Sequence, residues 1–496
     1  MKIAKASQAL NYFEYALAAG YLLLIGALIF FEPVIGMANN GDFYRLTQQA
    51  GIYFINQNND ATFDPNQVYY CGRIYETSWR HNPQKYYTTA LPFLYLGRKL
   101  SDLVFSRRYF DIIYLGAVYL FFFTIGLAAL MRCFRDFSLA PRLLGCFVLL
   151  FMFTDLGYFG WLNTFYIEPA SMVYLLGFVC AALILLPRLS QSEEQDAPAT
   201  KWRVILGWFV PLAIYFGLAA LLIGTKPQFV LTALPVIALW WIFAGALPPK
   251  KSSMRFYSSL AASLILLLFS GAYYVNRTFV GVNLFNQTFH YHMLKDTPDK
   301  VLDDMDLSRD FAVLAGSTWF DKYDEQVEPL RTRFTQSASY ANLLRYYRRN
   351  PRRLLEVFQE GAAGAFTFRV DGIGYYSKYS GHPPRHMGRS FSHFSELKRW
   401  LYPRTLTGMI VFFIALSVIL AAFCRMNSGY RRVFSAVALA LLVSAAIQLF
   451  TALLGEGPLD LVKHTFAFNA MTDIAIVQTM ILTAQWLWDK FPCASS

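Results

Sequence analysis

Tyr15–Gly36 reads YALAAGYLLLIGALIFFEPVIG, and Met37–Leu46 follows it directly as MANNGDFYRL. The first stretch carries a single charged residue, Glu32, and as a helix it is long enough to cross the roughly 30 Å hydrocarbon core of a bilayer. The second crowds two asparagines, a glycine, an aspartate and an arginine into the chain just past that run. Almost any polar residue can end a span, so the cluster is either a boundary or a site. The weakly basic MKIAKASQALNYFEY at the start raises a cleavable signal peptide as one reading. The length of the run and the lack of a small-residue cleavage site predict a retained first helix instead.

The pattern of the first run recurs along the chain. Of 496 residues, 56% are hydrophobic, 17% aromatic and only 15% charged, a composition that points away from a string of soluble domains. Apolar stretches of spanning length fall near 14–35, 111–131, 143–157, 168–186, 204–223, 228–247, 256–275, 405–423, 433–453 and 464–487. The fold class expected is therefore an all-α polytopic membrane protein with about ten transmembrane helices. With the N-terminus inside, the inner loops RCFRDFSLAPR, PRLSQSEEQDAPATKWR, PKKSSMR and CRMNSGYRR are rich in arginine and lysine. The short outer loops DLGYFGWLNTFYIE, GTKPQ and GEGPLDLVKH carry few, as the positive-inside rule requires. Both termini are then cytoplasmic. The formal net charge of +12 is explained by such loops, and no zinc-ligand set or RNA-binding signature points to nucleic acid.

Two outer segments are long, which divides the chain into 1–35, 36–110, 111–276, 277–404 and 405–496. Segment 36–110 holds the polar cluster and ALPFLYLGRKLSDLVF, a mixture suited to a helix lying in the membrane interface. Segment 277–404 is polar and mildly basic, and combines the helical-looking ANLLRYYRRNPRRLLEVFQE with the loop-like VDGIGYYSKYSGHPPRHMGRSFSHF. No internal repeat is visible. The cysteines at 71, 133, 146, 180, 424 and 493 form no CxxC pair, and with only Cys71 outside no disulfide framework is implied.

Ionisable residues are costly within a bilayer, so their placement is informative. The conspicuous ones collect at outer helix ends: Asp42 and Arg45, Glu168, Lys226, then Asp460, Lys463 and His464 at spacings that share one helix face. Each has a plain reading. Asp42 and Glu168 suit the first turn of a helix, Lys226 can snorkel to head groups, and His464 can be a packing residue. Asp473, deeper in the last run, reads as an interhelical hydrogen-bond partner. The one-sided collection is what suggests chemistry.

A centre on the outer face has no cytoplasmic nucleotide to draw on, so a group to be transferred must arrive activated and already across the membrane. A lipid phosphate carrier meets both needs. A carboxylate there can deprotonate an incoming hydroxyl while cations stabilise the departing phosphate. Asp42 with Lys226, Lys463 and His464 has that mixture of groups.

MANNGDFYR, KPQFVLTALP, NLFNQTFHYHML with DKVLDDMDL, and GPLDLVKHTFAFN together resemble the GT-C glycosyltransferases, and more narrowly bacterial hexose transferases of surface-glycan assembly. The resemblance runs over most of the chain. It implies a bacterial inner-membrane enzyme facing outward, with a polyprenyl-phosphate-linked sugar as donor, a glycan or lipid hydroxyl as acceptor, and membrane lipids as surroundings. It gives Asp42 the catalytic-base or donor-orienting role and Glu168 that of a second outer acid for acceptor or metal. Arg45, Lys226, Lys463 and His464 would meet the donor phosphate, and Asn40, Asp460, Tyr375, Tyr376 and Arg385 the substrates. Where relatives have two adjacent acids, Asp42 is followed by Phe43; a lone carboxylate is a poor divalent site, so the resemblance fixes no cofactor and leaves a divalent cation possible. A transporter or flippase of lipid-linked glycan, a polysaccharide ligase or polymerase, and a non-enzymatic scaffold are the rival readings.

Overall fold

The computed structural model describes residues 2–37, 44–53, 72–78, 86–191, 201–244, 253–274, 277–319, 321, 327–367, 369, 374–377, 380–383, 386–459 and 461–491. Among them eight helices are long and apolar enough to cross a membrane. They are α1 (Lys2–Phe30), α2 (Ile113–Arg132), α4 (Glu168–Gln191), α5 (Lys201–Ile223), α7 (Ser253–Tyr274), α8 (Leu406–Met426), α9 (Gly429–Glu456) and α10 (Phe466–Lys490). Two shorter apolar helices, α3 (Leu139–Phe153) and α6 (Ala233–Phe243), occupy the other two stretches expected to span. The reason α6 is short is local: Pro227–Thr232 winds as a 3-10 turn before the α-helix begins. The protein is thus a mostly helical, integral multi-pass membrane protein.

The bundle is built around α10, which is buried along nearly its whole length and packs chiefly on α9 and α3. Its polar face explains that position. Asn469, Thr472, Asp473 and Gln478 are all buried there, and none could face hydrocarbon without partners. By contrast α8 leaves Val411, Ile414 and Val418 exposed, an apolar face suited to lipid. One end of the bundle gathers arginines: Arg142 pairs with buried Glu14 at 2.6 Å, Arg132 meets Tyr15, and Arg431 pairs with Asp489 at 2.6 Å.

The opposite end carries the two long segments. In the first, Leu91–Val104 forms an amphipathic helix whose Phe93, Leu94, Gly97 and Ser101 are buried. Gly97 matters here, because a Cβ at that position would sit 2.9 Å from Leu115 Cα of α2. Leu103 and Val104 stay exposed, as an interfacial helix requires. A three-stranded antiparallel sheet of β2 (Ile52–Tyr53), β3 (Ile74–Thr77) and β4 (Tyr109–Asp111) closes this segment, with Arg73 on Asp111 at 2.8 Å. Strand β1 (Ile35–Met37) instead pairs with β5 (Tyr375–Tyr376) from the second segment.

The second segment is largely helical, with a small core of Phe285, Phe289, Phe311 and Phe334. Gln287 ties it to α9 by donating to the Leu453 carbonyl at 3.3 Å. Its last helix, His393–Leu401, plants Lys398 in the bundle. The ammonium, fully buried, donates to both carboxylate oxygens of Asp473 at 2.7 Å, and Tyr158 donates to the same group. Asp155 accepts from the backbone N–H of Ser395 at 2.7 Å and so pins the start of that helix.

Candidate functional site

At the loop end the helix termini enclose a cavity of about 570 Å³. Four elements supply its charged groups. Glu168 opens α4, ahead of Pro169, a legitimate first-turn acid that also faces the cavity. Lys226 lies in the turn between α5 and the 3-10 segment. Glu456 is the last residue of α9, and Lys463 and His464 belong to the short helix Leu461–His464. Tyr274, Asn283 and Tyr340 line it from the second segment and the end of α7, while Tyr86 and Leu46 come from the first.

These elements are fixed to one another by hydrogen bonds that no charged group of the cavity has to supply. The Lys226 turn is held because Thr88 donates to the Thr225 carbonyl at 3.0 Å and Tyr273 to the same oxygen at 3.2 Å. Gln228 then donates to the carbonyls of Gln448 (3.1 Å) and His464 (2.8 Å), which locks that turn to α9 and to the Lys463–His464 helix. These bonds tie the cavity walls to one another, a condition for presenting charges at fixed separations.

The charges are arranged as two acid–base pairs and a further lysine. Lys226 pairs with Glu168 through Oε1, and among the described residues Oε2 of Glu168 is buried with no hydrogen-bond partner. His464 pairs with Glu456. Lys463 lies 5.0 Å from the ring centroid of Tyr166, a cation–π contact, and burial pulls its ammonium down to about 7. Burying charges is costly unless a function repays it, so such a cluster in a concave site marks a candidate for binding or catalysis. The set brings two lysines and a histidine to one cavity and offers it a carboxylate oxygen.

Of the residues expected from sequence, Glu168, Lys226, Lys463 and His464 share this cavity. Arg45 lies in the short helix Tyr44–Thr47, next to the lining residue Leu46, with its side chain outside the described atoms. Asn40, Asp42, Asp460 and Arg385 lie outside the described residues. Tyr375 and Tyr376 do not line the cavity. Tyr375 is buried in the strand facing Met37, and Tyr376 stacks on His382 with ring centroids 4.0 Å apart. Sequence reasoning missed Glu456, Gln228, Asn283 and Tyr340. A signal existed for Glu456 alone, an acid closing an apolar run just ahead of the DLVKH motif. Among the described residues no group of three or more His, Cys, Asp or Glu could hold a metal.

A multi-pass helical bundle with a charged cavity at one end of its helices is the class of protein that these features define. Residues 4–493 match the family described as the YfdI N-terminal transmembrane domain, and the chain belongs to that family. No curated protein matches the chain. A solved structure with some likeness is the archaeal oligosaccharyltransferase AglB from Archaeoglobus fulgidus, in complex with an inhibitory peptide and a dolichol-phosphate. It is 13% identical, with a TM-score of 0.42, and the match covers 97% of this chain and 51% of that one. This chain thus spans about half the length of that protein.

Proposed function

We propose that the protein is a GT-C-type hexosyltransferase that moves a sugar from a polyprenyl-phosphate donor to a hydroxyl of a surface glycan or lipid at the extracytoplasmic face. The observation that carries this reading is the cavity in which Lys226, Lys463 and His464 sit beside Glu168 at the end of the spanning helices. The short connections and adjoining helix ends at the opposite end carry Arg132, Arg135, Arg142, Arg431 and Arg432, and positive charge in short loops favours that end as cytoplasmic. Asp473, a deep acid of the kind a transport pathway uses, is taken up by Lys398, which disfavours the flippase reading.

In the reaction proposed, Asp42 takes the proton of the acceptor hydroxyl as its oxygen bonds to the anomeric carbon. The bond from that carbon to the phosphate oxygen breaks, and polyprenyl phosphate leaves with one more negative charge. Lys226 and Lys463 meet that growing charge in a poorly hydrated site, where preorganised cations are most effective. The unpartnered oxygen of Glu168 receives a hydroxyl of the donor sugar or of the acceptor.

Lys226→Met tests the reading. Removing a charge-assisted contact worth about 1.5–3 kcal/mol should lower kcat/KM for transfer by roughly 10- to 150-fold, with Lys226→Arg recovering part of the loss. Unchanged transfer in the methionine variant would remove the cavity from the reaction.

A pH dependence follows from Lys463. Its ammonium is charged below about 7 and neutral above, and a bound phosphate favours the charged form. The donor phosphodiester keeps one charge throughout this range. Donor affinity should therefore be constant below pH 7 and fall as pH rises beyond it, approaching roughly tenfold per unit. Titrating donor binding from pH 6 to 9 checks this, and Lys463→Met should flatten the profile.

A further inference from the structure

The helix His393–Leu401, which leads into α8, is turned the opposite way from a surface helix in water, whose apolar face packs on the core. Phe394, Lys398 and Tyr402 recur at four-residue spacing and form its inner stripe. The centre of that stripe is ionic: Lys398 donates to Asp473 at 2.7 Å, and the Tyr402 hydroxyl donates to the same carboxylate at 3.5 Å. The outer stripe is apolar. Leu397, Trp400 and Leu401 fall at i, i+3 and i+4, and all three are exposed, Trp400 by 82%.

The surroundings of the outer stripe identify what covers it. A short stretch of chain carries it into α8, where Ile410, Val411, Ile414 and Val418 are exposed in turn, so the apolar surface continues onto a spanning helix. Two cations flank it. Arg399 extends outward, and its contact with Glu396, 3.7 Å between two exposed groups, is of a kind that contributes little. Arg404 donates through Nη2 to the Arg399 carbonyl at 2.6 Å, which caps the last turn and sets its guanidinium at the helix end. A tryptophan and two leucines edged by arginines match the layering of a membrane interface, in which rings and methyls meet the acyl boundary and guanidiniums meet phosphate. Continuity with α8 and the flanking positive charge select a bilayer over a protein partner.

We propose that the His393–Leu401 helix reads the membrane surface: Leu397, Trp400 and Leu401 enter the head-group boundary on the side that bears the cavity, and Arg399 and Arg404 bind the phosphate of an anionic phospholipid of the phosphatidylglycerol class. Lys398, between the two stripes, fastens the same helix to Asp473 of α10. One short helix thus joins the bundle, the second segment and the lipid surface.

The test places a photoreactive side chain at the centre of the outer stripe, Trp400→p-benzoylphenylalanine, in the full chain in nanodiscs of phosphatidylethanolamine and phosphatidylglycerol. The benzophenone inserts into C–H bonds it meets, and the mass of the adduct names the neighbour. Phospholipid adducts are expected, with phosphatidylglycerol enriched roughly 5- to 25-fold over its share of the bilayer, the range for one or two arginines at an anionic head group. Arg399→Gln should lower that enrichment about fivefold, and Arg399→Gln combined with Arg404→Gln should remove it. Because Arg404 also caps the helix, Arg399→Gln alone is decisive: its side chain is exposed and its loss leaves the inner stripe intact. Phosphatidylglycerol captured only in proportion to its share, enrichment unchanged by Arg399→Gln, crosslinks to a second copy of the chain, or no adduct at all would each overturn the proposal. Transfer activity enters none of these readouts, so the outcome stands apart from the reaction proposed above.

Discussion

Asp42→Asn is expected to insert and fold like the parent and to lose transfer by roughly 10²- to 10⁴-fold, the usual worth of a positioned general base. The substitution keeps the size of the side chain while removing its negative charge and its ability to accept the acceptor's proton. Chain geometry supports the choice of this carboxylate. Leu46 lines the cavity and follows Asp42 by four residues in the sequence, which is the reason for choosing this carboxylate. On its other side the chain is anchored by Met37 pairing with Tyr375. The diagnostic pattern is a loss in kcat with donor binding preserved within a few-fold, because the proposed reaction assigns phosphate recognition to the lysines. A variant that transfers at the parental rate would take the reaction away from the first loop.

Lys398→Met should be among the most destabilising single substitutions in the protein. Among the described residues it leaves the Asp473 carboxylate, 1% exposed, with the hydroxyls of Tyr158 and Tyr402 as its hydrogen-bond donors. Breaking one side of a buried pair costs about 3–5 kcal/mol, whereas exchanging both partners for neutral groups is often close to neutral. Lys398→Met combined with Asp473→Asn, which keeps an acceptor for Tyr158, should therefore recover most of the loss. Unfolding of the purified variants in detergent measures the cycle. A single variant no less stable than the double would mean that the pair carries little of the attachment of the His393–Leu401 helix to the bundle.

The spanning helices were readable because burial in lipid demands long apolar runs, and ten such runs stand out in the sequence. What the runs could not convey was where a helix stops. The ninth stretch ends near 453 by hydropathy, but α9 continues through Gly455 to Glu456, and those three residues deliver a carboxylate to the cavity. Backbone hydrogen bonding, which is blind to side-chain polarity, sets that boundary. The 3-10 turn at Pro227–Thr232 escaped notice for a related reason, since a proline start permits either helix type.

The cavity was legible only in part. Glu168, Lys226, Lys463 and His464 stand out because ionisable groups at the ends of apolar helices are scarce. Asn283 and Tyr340 are ordinary residues in a polar segment, and nothing short of tertiary contact distinguishes them from their neighbours. The same holds for Tyr375, which the sequence places in an open loop. Two-residue strands such as Tyr375–Tyr376 carry no periodicity, and their partner lies more than 300 residues earlier. Lys398 went unnoticed as the mate of Asp473 because its helix reads as the polar tail of a loop. Only the packed structure brings it onto α10.

The central claim is that the cavity receives a lipid-linked phosphate, and a cryo-electron microscopy structure of the full chain with a polyprenyl-phosphate sugar tests it most directly. The account predicts phosphate density within hydrogen-bonding distance of Lys226 and Lys463, with the sugar lying toward Glu168 and the first loop. Density for the phosphate at the Glu14–Arg142 end of the bundle, with the cavity holding no lipid, would contradict it.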